Sequence, residues 1–256
     1  MVEMMIKTVE ARCSERVEEA RLIASQFGGD CVTGPLQNGE YRIVLFSDRE
    51  ELWDYTTRKH GFPLSFQSID RRIGAGNLSK KQPIAKAVGA QANHIVDATA
   101  GLGHDACLLA CMGWQVDAIE RDPFVACLLN LAVVDANRVE DLAKTLQAKL
   151  RVQCGQAEDF LAQQTQLDVV YLDPMFEMER GSALPRKPAQ VLQALVGQQS
   201  VEGVTLLQVA KARARRVVVK RPRKGPPLGD APNLSFKGRQ VRYDVYLSSG
   251  DAPRTP

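Results

Sequence analysis

Two stretches decide the reading of this chain: HIVDATAGLGHDACLLA (His94–Ala110) and LDVVYLDPMF (Leu167–Phe176). In the first, Ile95 and Val96 lead into Asp97, then a small-residue turn containing Gly101 and Gly103, then a helix opening near His104. Glycines in such a turn let backbone approach a ligand closely, and the first N–H groups of a helix are donors without intrahelical acceptors. In the second, Val169–Leu172 is the continuous apolar pattern of a strand covered on both faces, and it delivers Asp173, Pro174, Met175 and Phe176 to a strand's carboxyl end. Open α/β sheets place their ligands there, so the two segments are expected to meet at one crevice.

Around these stretches, strand-like and helical runs alternate. IVDAT precedes a helix near Asp105 to Met112, QVDAIE one near Pro123 to Asn137, LRVQC one near Glu158 to Gln164. DVVYLD is followed by helices near Pro188 to Val196 and near Val204 to Ala212, then by RRVVVKR. This alternation predicts a mostly parallel sheet with helices on both faces. The end differs: LSFKGRQVRYDVYL reads as a hairpin around Lys237 and Gly238, adding an antiparallel strand.

Residues 1–77 read as a separate small α/β subdomain, with a helix over Val17–Phe27, a strand over Tyr41–Phe46 and glycine-rich punctuation between them. The main domain is expected over residues 78–250, with 251–256 a frayed tail. RRIGAGN (Arg71–Asn77) is basic and glycine-rich, suiting either a ligand-contacting loop or a plain linker.

No apolar run is long enough to span a bilayer, and MVEMMIKTVEARCSE lacks the blocks of a secretory signal, so a cytoplasmic protein is expected. Six cysteines without CxxC pairing read as reduced thiols, and no histidine completes a metal set with Cys107 and Cys111, so no metal is expected. The net charge of +3 is too small to identify a polyanionic partner, so its distribution matters more. Lys211, Arg213, Arg215, Arg216, Lys220, Arg221, Arg223 and Lys224 form a run with no acidic residue among them. Arg71 and Arg72 form a cluster with Lys80 and Lys81, and Arg186 with Lys187 another just beyond DPMF. Each alone suits a solvated surface; flanking the candidate loops, they suit phosphate contacts.

DPMF resembles the [DN]PP[FY] motif of the class I S-adenosylmethionine-dependent methyltransferases that modify exocyclic amino nitrogens. More closely, DATAGLGHDA, AIERDP, VVYLDPMF and RRVVVKRP, in that order, resemble the bacterial ribosomal RNA small subunit methyltransferase J family, from about Ser79 to Leu247. The resemblance implies a Rossmann-like α/β fold with a mostly parallel seven-stranded sheet and a C-terminal antiparallel hairpin. It also implies methyl transfer to N2 of a guanosine near the 3′ end of 16S ribosomal RNA, with that RNA or the small ribosomal subunit as partner.

On this reading the backbone near Gly101, Gly103, His104 and Asp105 cradles S-adenosylmethionine, and Asp97 offsets positive charge at its methionine end. Glu120, 23 positions after Asp97, takes both ribose hydroxyls and Arg121 flanks the adenine. Gln156 and Ala157 stand where the family contacts the adenine, although the small hydroxyl residues expected there are absent. Asp173, which also borders the cofactor, and the Pro174 carbonyl accept the two hydrogens of the target amine, and Phe176 stacks on the base. Met175 replaces the second proline of the commoner motif.

The residues alone leave alternatives. GLGHDA with an acidic residue after the next strand also fits the dinucleotide fingerprint of an NAD-linked oxidoreductase, although its glycines come late and DPMF has no role there. The glycine turn, Asp97 and Asp105 also suit an ordinary turn and helix caps, and Asp-Pro a turn start. The acceptor pair serves adenine-N6 or protein-amide targets as well as guanine-N2, and a silent RNA-binding module would keep the basic faces.

Overall fold

The computed structural model describes residues 6–54, 61–67, 69, 78–174 and 200–248. Met175, Phe176, Arg186, Lys187, Arg71, Arg72, the Arg71–Asn77 stretch, the expected helix near Pro188 to Val196 and the tail lie outside the described residues.

The N-terminal part forms a five-stranded sheet in the order β2-β1-β3-β4-β5, from β1 (Ile6–Ala11), β2 (Asp30–Cys31), β3 (Glu40–Leu45), β4 (Glu50–Asp54) and β5 (Phe62–Pro63). Helix α1 (Val17–Gln26) packs on it through Ala20, Ile23 and Ala24. Strands β1 and β4 escape a hydrophobicity reading because their core positions include carboxylates: Glu10, Glu50 and Asp54 are all buried. Burying a charge is tolerable only when it is paired. Arg42 binds Glu10 and Glu40 at 2.9 and 2.7 Å, and Arg16 binds Glu50 at 2.7 Å.

The main sheet has seven strands: β6 (His94–Asp97), β7 (Gln115–Glu120), β8 (Leu150–Cys154), β9 (Leu167–Leu172), β10 (Ala214–Pro222), β11 (Leu234–Lys237) and β12 (Val241–Leu247). Their order is β11-β12-β10-β9-β6-β7-β8. Neighbours from β10 to β8 run parallel, while β12 is antiparallel to β10 and to β11. This is the sheet and terminal hairpin that the resemblance implied. Because β6 leads to β7 on one side and pairs with β9 on the other, the winding reverses between β6 and β9, and the carboxyl ends there are where open α/β sheets place their ligand crevice.

Side-chain alternation explains why the strands read as unbroken apolar runs. Ile95, Val169, Tyr171 and Val218 face one core; Val96, Val170, Leu172, Val217 and Val219 face the other. The first core takes α2 (Pro83–Val88), α3 (His104–Cys111), α4 (Pro123–Ala136) and α5 (Glu140–Lys149); the second takes α6 (Ala157–Ala162) and α7 (Ser200–Arg213). Helix α5 went unread because only Leu142 and Leu146 of its residues are buried, two apolar positions one turn apart. No helix among the described residues is long and apolar enough to cross a membrane.

The two sheets share one buried cluster, joined at α4. Phe27 meets Phe124 edge to face at 4.9 Å, and Lys7 of β1 pairs with Asp122 at 2.8 Å. Asp122 is also the N-cap of α4, accepting from the Phe124 and Val125 N–H groups. Arg138, just beyond α4, reaches back to Glu50 at 3.0 Å.

Candidate active site

Strand β6 ends on Asp97, 2% exposed, whose Oδ1 accepts from the Thr99 N–H at 3.2 Å. The turn that follows needs glycine at two positive-φ positions, Gly101 (+54°) and Gly103 (+74°). At Gly103 a Cβ would also lie 2.1 Å from Leu129 Cδ1, so α4 closes that space against any side chain. Gly103 is the residue before α3, which begins with exposed His104 and carries Asp105 in its first turn.

Glu120, 6% exposed, ends β7 and folds back over the glycine turn: Oε2 accepts from the Gly101 N–H and Oε1 from the Asp122 N–H, both at 2.8 Å. Its neighbour Arg121 is half-buried. After β8, Gly155 donates its N–H to the Glu120 carbonyl at 2.9 Å, setting Gln156 (exposed) and Ala157 (buried) at the start of α6 beside the carboxyl end of β7. The carboxyl ends of β6, β7 and β8 thus bring together Asp97, Gly101, Gly103, Glu120 and the Gln156–Ala157 pair.

Asp173 and Pro174 follow β9 across the switch point. Thr99 fastens the two sides, its Oγ1 accepting from the Asp173 N–H at 2.6 Å. Pro174 is buried, and its ring lies against Gly203 of α7, where a Cβ would come within 3.3 Å. A glycine inside a helix costs about 1 kcal/mol against alanine, and here it gives the proline room.

The basic run behaves differently from its reading as phosphate ligands, because β10 is a strand and alternation splits it. Lys220 turns into the crevice, its Nζ 2.7 Å from Asp105 Oδ2 and 2.8 Å from Asp173 Oδ2. Arg221 turns to the opposite face, 6% exposed, with Nε donating to the Pro226 carbonyl at 2.8 Å. Arg216 reaches the Ala87 carbonyl from the strand's amino-terminal half. Just beyond the carboxyl end of β10, Arg223 and Lys224 are exposed. Their turn is held by Arg242, whose Nη1 donates to the carbonyls of Pro222 and Gly225 at 2.9 and 2.6 Å.

The crevice is rich in carboxyl groups. Burial pushes the Asp97 carboxyl well above its ordinary range, and the nearby Asp105 charge adds to the rise. Glu120 is raised as well, chiefly by burial. Asp105 is lowered despite burial, because Lys220 sits beside it. Asp173 is raised by burial against the pull of Lys220, although its side chain keeps 38% exposure toward the crevice. A buried carboxyl raised in this way, as at Asp97, favours a further cation nearby, and a sulfonium with an α-ammonium group supplies one. The positive-φ glycines and the Glu120 carboxyl at the end of β7 suit the same ligand, so these residues fit S-adenosylmethionine. Sequence reading missed Thr99 and Tyr171, whose Oη donates to Asp105 Oδ2 at 2.6 Å. A threonine in a small-residue turn and a tyrosine in an apolar strand carry no pattern that marks them.

Comparisons with known proteins identify the family. Residues 38–248 match a family model described as "Putative SAM-dependent methyltransferase". The ribosomal RNA small subunit methyltransferase J of Nitrosococcus oceani is 36% identical over 248 residues, 91% of this chain and 95% of the relative. That of Chromobacterium violaceum is 35% identical over 252 residues, 92% and 95% of the two. The crystal structure of a SAM-dependent methyltransferase from Neisseria gonorrhoeae superposes with a TM-score of 0.70 at 30% identity, covering 96% of this chain and 99% of that one. An NAD-linked oxidoreductase is not favoured beside these relatives. Matched along nine-tenths of its length by such relatives, the chain belongs to the ribosomal RNA small subunit methyltransferase J family of S-adenosylmethionine-dependent methyltransferases.

Proposed function

We propose that this chain transfers a methyl group from S-adenosylmethionine to the exocyclic N2 of a guanosine near the 3′ end of 16S ribosomal RNA, in the cytoplasm. The observation that carries the reading is Asp173, its carboxylate partly exposed at the end of β9 and its backbone N–H fastened to Thr99 on the glycine-turn side of the crevice. The names of the full-length relatives support ribosomal RNA of the small subunit as the substrate.

Bound S-adenosylmethionine supplies an electrophilic methyl carbon; the amine lone pair forms the N–C bond as the S–C bond breaks, and the surplus nitrogen proton leaves to solvent. The protein's task is to aim that lone pair, which is delocalised into the base. Asp173 and the Pro174 carbonyl accept the two amine hydrogens, which favours a more tetrahedral nitrogen. Asp97 offsets the cofactor's positive charge, the backbone at Gly101, Gly103, His104 and Asp105 cradles its methionine end, and Glu120 takes the ribose hydroxyls. Arg121, Gln156 and Ala157 border the adenine. From the motif, Phe176 is assigned to stack on the extruded base.

Arg223 and Lys224 are the described basic residues assigned to RNA phosphates, with Arg71, Arg72, Arg186 and Lys187 assigned from sequence. Residues 1–77 act as a subdomain beside a methyltransferase domain of residues 78–250, followed by a tail of residues 251–256. The test is transfer of labelled methyl to small subunits, and separately to naked 16S RNA, from a strain lacking this activity, with digestion to nucleosides. Label in N2-methylguanosine is expected; label in an adenine-N6 product or in protein overturns the target assignment.

A further inference from the structure

Lys220 has the sequence context of a phosphate ligand and the surroundings of an active-site residue. Two of its three N–H donors point inward, to Asp105 and to Asp173. Asp105 is gripped a second time by the Tyr171 hydroxyl, and Tyr171 is fully buried, so the anchor of this arrangement is rigid. Other groups near the cluster are Asp97 from the end of β6, His104 from α3, Arg221 from β10 and Tyr243 from β12. Three carboxylates, Asp97, Asp105 and Asp173, therefore surround one inward-facing ammonium.

We propose that Lys220 is the positioning residue of the methyl transfer: its ammonium, anchored on Asp105, holds Asp173 by Oδ2 and leaves Oδ1 to accept from the target amine. The proposal rests on reading Asp173 as the amine acceptor. A carboxylate terminal torsion is broad and two-fold, so an unheld Asp173 would sample orientations that do not aim the lone pair. The ammonium also keeps Asp173 ionised, and only the ionised form is purely an acceptor. No proton moves to or from Lys220 in this role.

The test measures kcat against pH, KM for RNA and the salt dependence of RNA binding, using the full chain, S-adenosylmethionine and unmethylated small subunits. Lys220→Met is expected to lower kcat by about tenfold or more and to move the acid limb of the kcat profile upward by about one pH unit. Lys220→Arg keeps the charge; the limb should stay near its wild-type position while part of kcat returns. Asp105→Asn should move the limb the opposite way, because Lys220 is then left to Asp173 alone. Should Lys220→Met fail to fold, the downward shift in Asp105→Asn decides, and no shift there overturns the proposal. A Lys220→Met protein with unchanged kcat and limb, a raised KM for RNA and a salt slope smaller by about one unit would make Lys220 a phosphate ligand instead. Wild-type protein that transfers no methyl to RNA would overturn the underlying reading of Asp173, and this one with it.

Discussion

Thr99 Oγ1 accepts the Asp173 backbone N–H at 2.6 Å, and the same threonine donates its own N–H to Asp97 Oδ1 at 3.2 Å. One side chain on the glycine-turn side of the switch point thereby sets the height of the motif proposed to hold the target base. A partly buried N–H stripped of its acceptor costs about 1–3 kcal/mol, and the loop carrying Asp173 would shift to find another.

Thr99→Val, which keeps the shape and removes the acceptor, is therefore expected to lower kcat by about tenfold, since small misplacements at a reacting centre are costly. S-adenosylmethionine affinity should change less than kcat, because the Thr99 N–H to Asp97 is retained. Single-turnover methyl transfer alongside calorimetric titration separates the two. Equal losses in both would mean that Thr99 serves the cofactor pocket alone.

A second expectation follows from Asp97. Its carboxyl is raised in the folded state, by burial first, so the folded protein binds that proton more tightly than the unfolded chain. The stability it contributes is present below the ordinary carboxylate value and is lost as pH rises through the raised value. At pH 8, well above the ordinary carboxylate value, the buried carboxyl is a liability in the ligand-free protein. Asp97→Asn should then raise the ligand-free Tm at pH 8 by a few degrees, the scale of about 1 kcal/mol for a chain of this size, with little gain at pH 5. It should weaken S-adenosylmethionine binding by about tenfold or more, the partner of a cation having been removed. A lower Tm at pH 8 would contradict the sign of this argument.

Gly103 combines a left-handed backbone with a filled neighbourhood. An alanine there pays about 1 kcal/mol or more for φ +74° and must also displace Leu129, whose Cδ1 would lie 2.1 Å from the new Cβ. Gly103→Ala is expected to lose about 2–4 kcal/mol in denaturant unfolding and to bind S-adenosylmethionine poorly. Measured in a Leu129→Ala background, which carries its own cavity cost, the loss from Gly103→Ala should shrink if the clash dominates and stay the same if the backbone strain does.

What was legible in the sequence follows the physics of each element. Strands β6, β7, β9 and β10 are covered on both faces, so their apolar runs stood out, and the glycine turn and DPMF stood out because backbone geometry and chemistry restrict their residue types. Strands β1 and β4 were hidden because carboxylates occupy core positions and are neutralised by Arg42 and Arg16, residues distant in sequence. Lys220 and Arg221 were read with their neighbours as one basic surface. Strand alternation sends one into the crevice and the other into the opposite layer, and a charge count along the chain does not see that.

The RNA face can be tested where the run remains exposed. Arg223→Ala with Lys224→Ala should weaken binding to 16S RNA and reduce the magnitude of the salt slope by about one unit for each phosphate that is no longer neutralised. Neither side chain touches the described cofactor residues, so S-adenosylmethionine titrations should be unchanged. Arg221→Ala should instead lower Tm, because its side chain is buried against the Pro226 carbonyl. An unchanged salt slope in the double variant would place the RNA on another face.

The chemistry itself turns on Asp173. If its carboxylate is an acceptor used chiefly in the transition state, Asp173→Ala should fold and bind S-adenosylmethionine, yet lose kcat by about 10²-fold or more, as removal of one oriented partner of a reacting group does. The variant leaves Lys220 hydrogen-bonded to Asp105, so the fold keeps a paired ammonium. Asp173→Asn should be milder, because an amide oxygen still accepts, but its NH2 group faces Lys220 or the amine, and one of those contacts becomes donor against donor. RNA affinity should fall less than turnover in both. Near-normal turnover by Asp173→Ala on small subunits would reduce the Asp-Pro pair to a turn and move the search for the amine's acceptor elsewhere in the crevice.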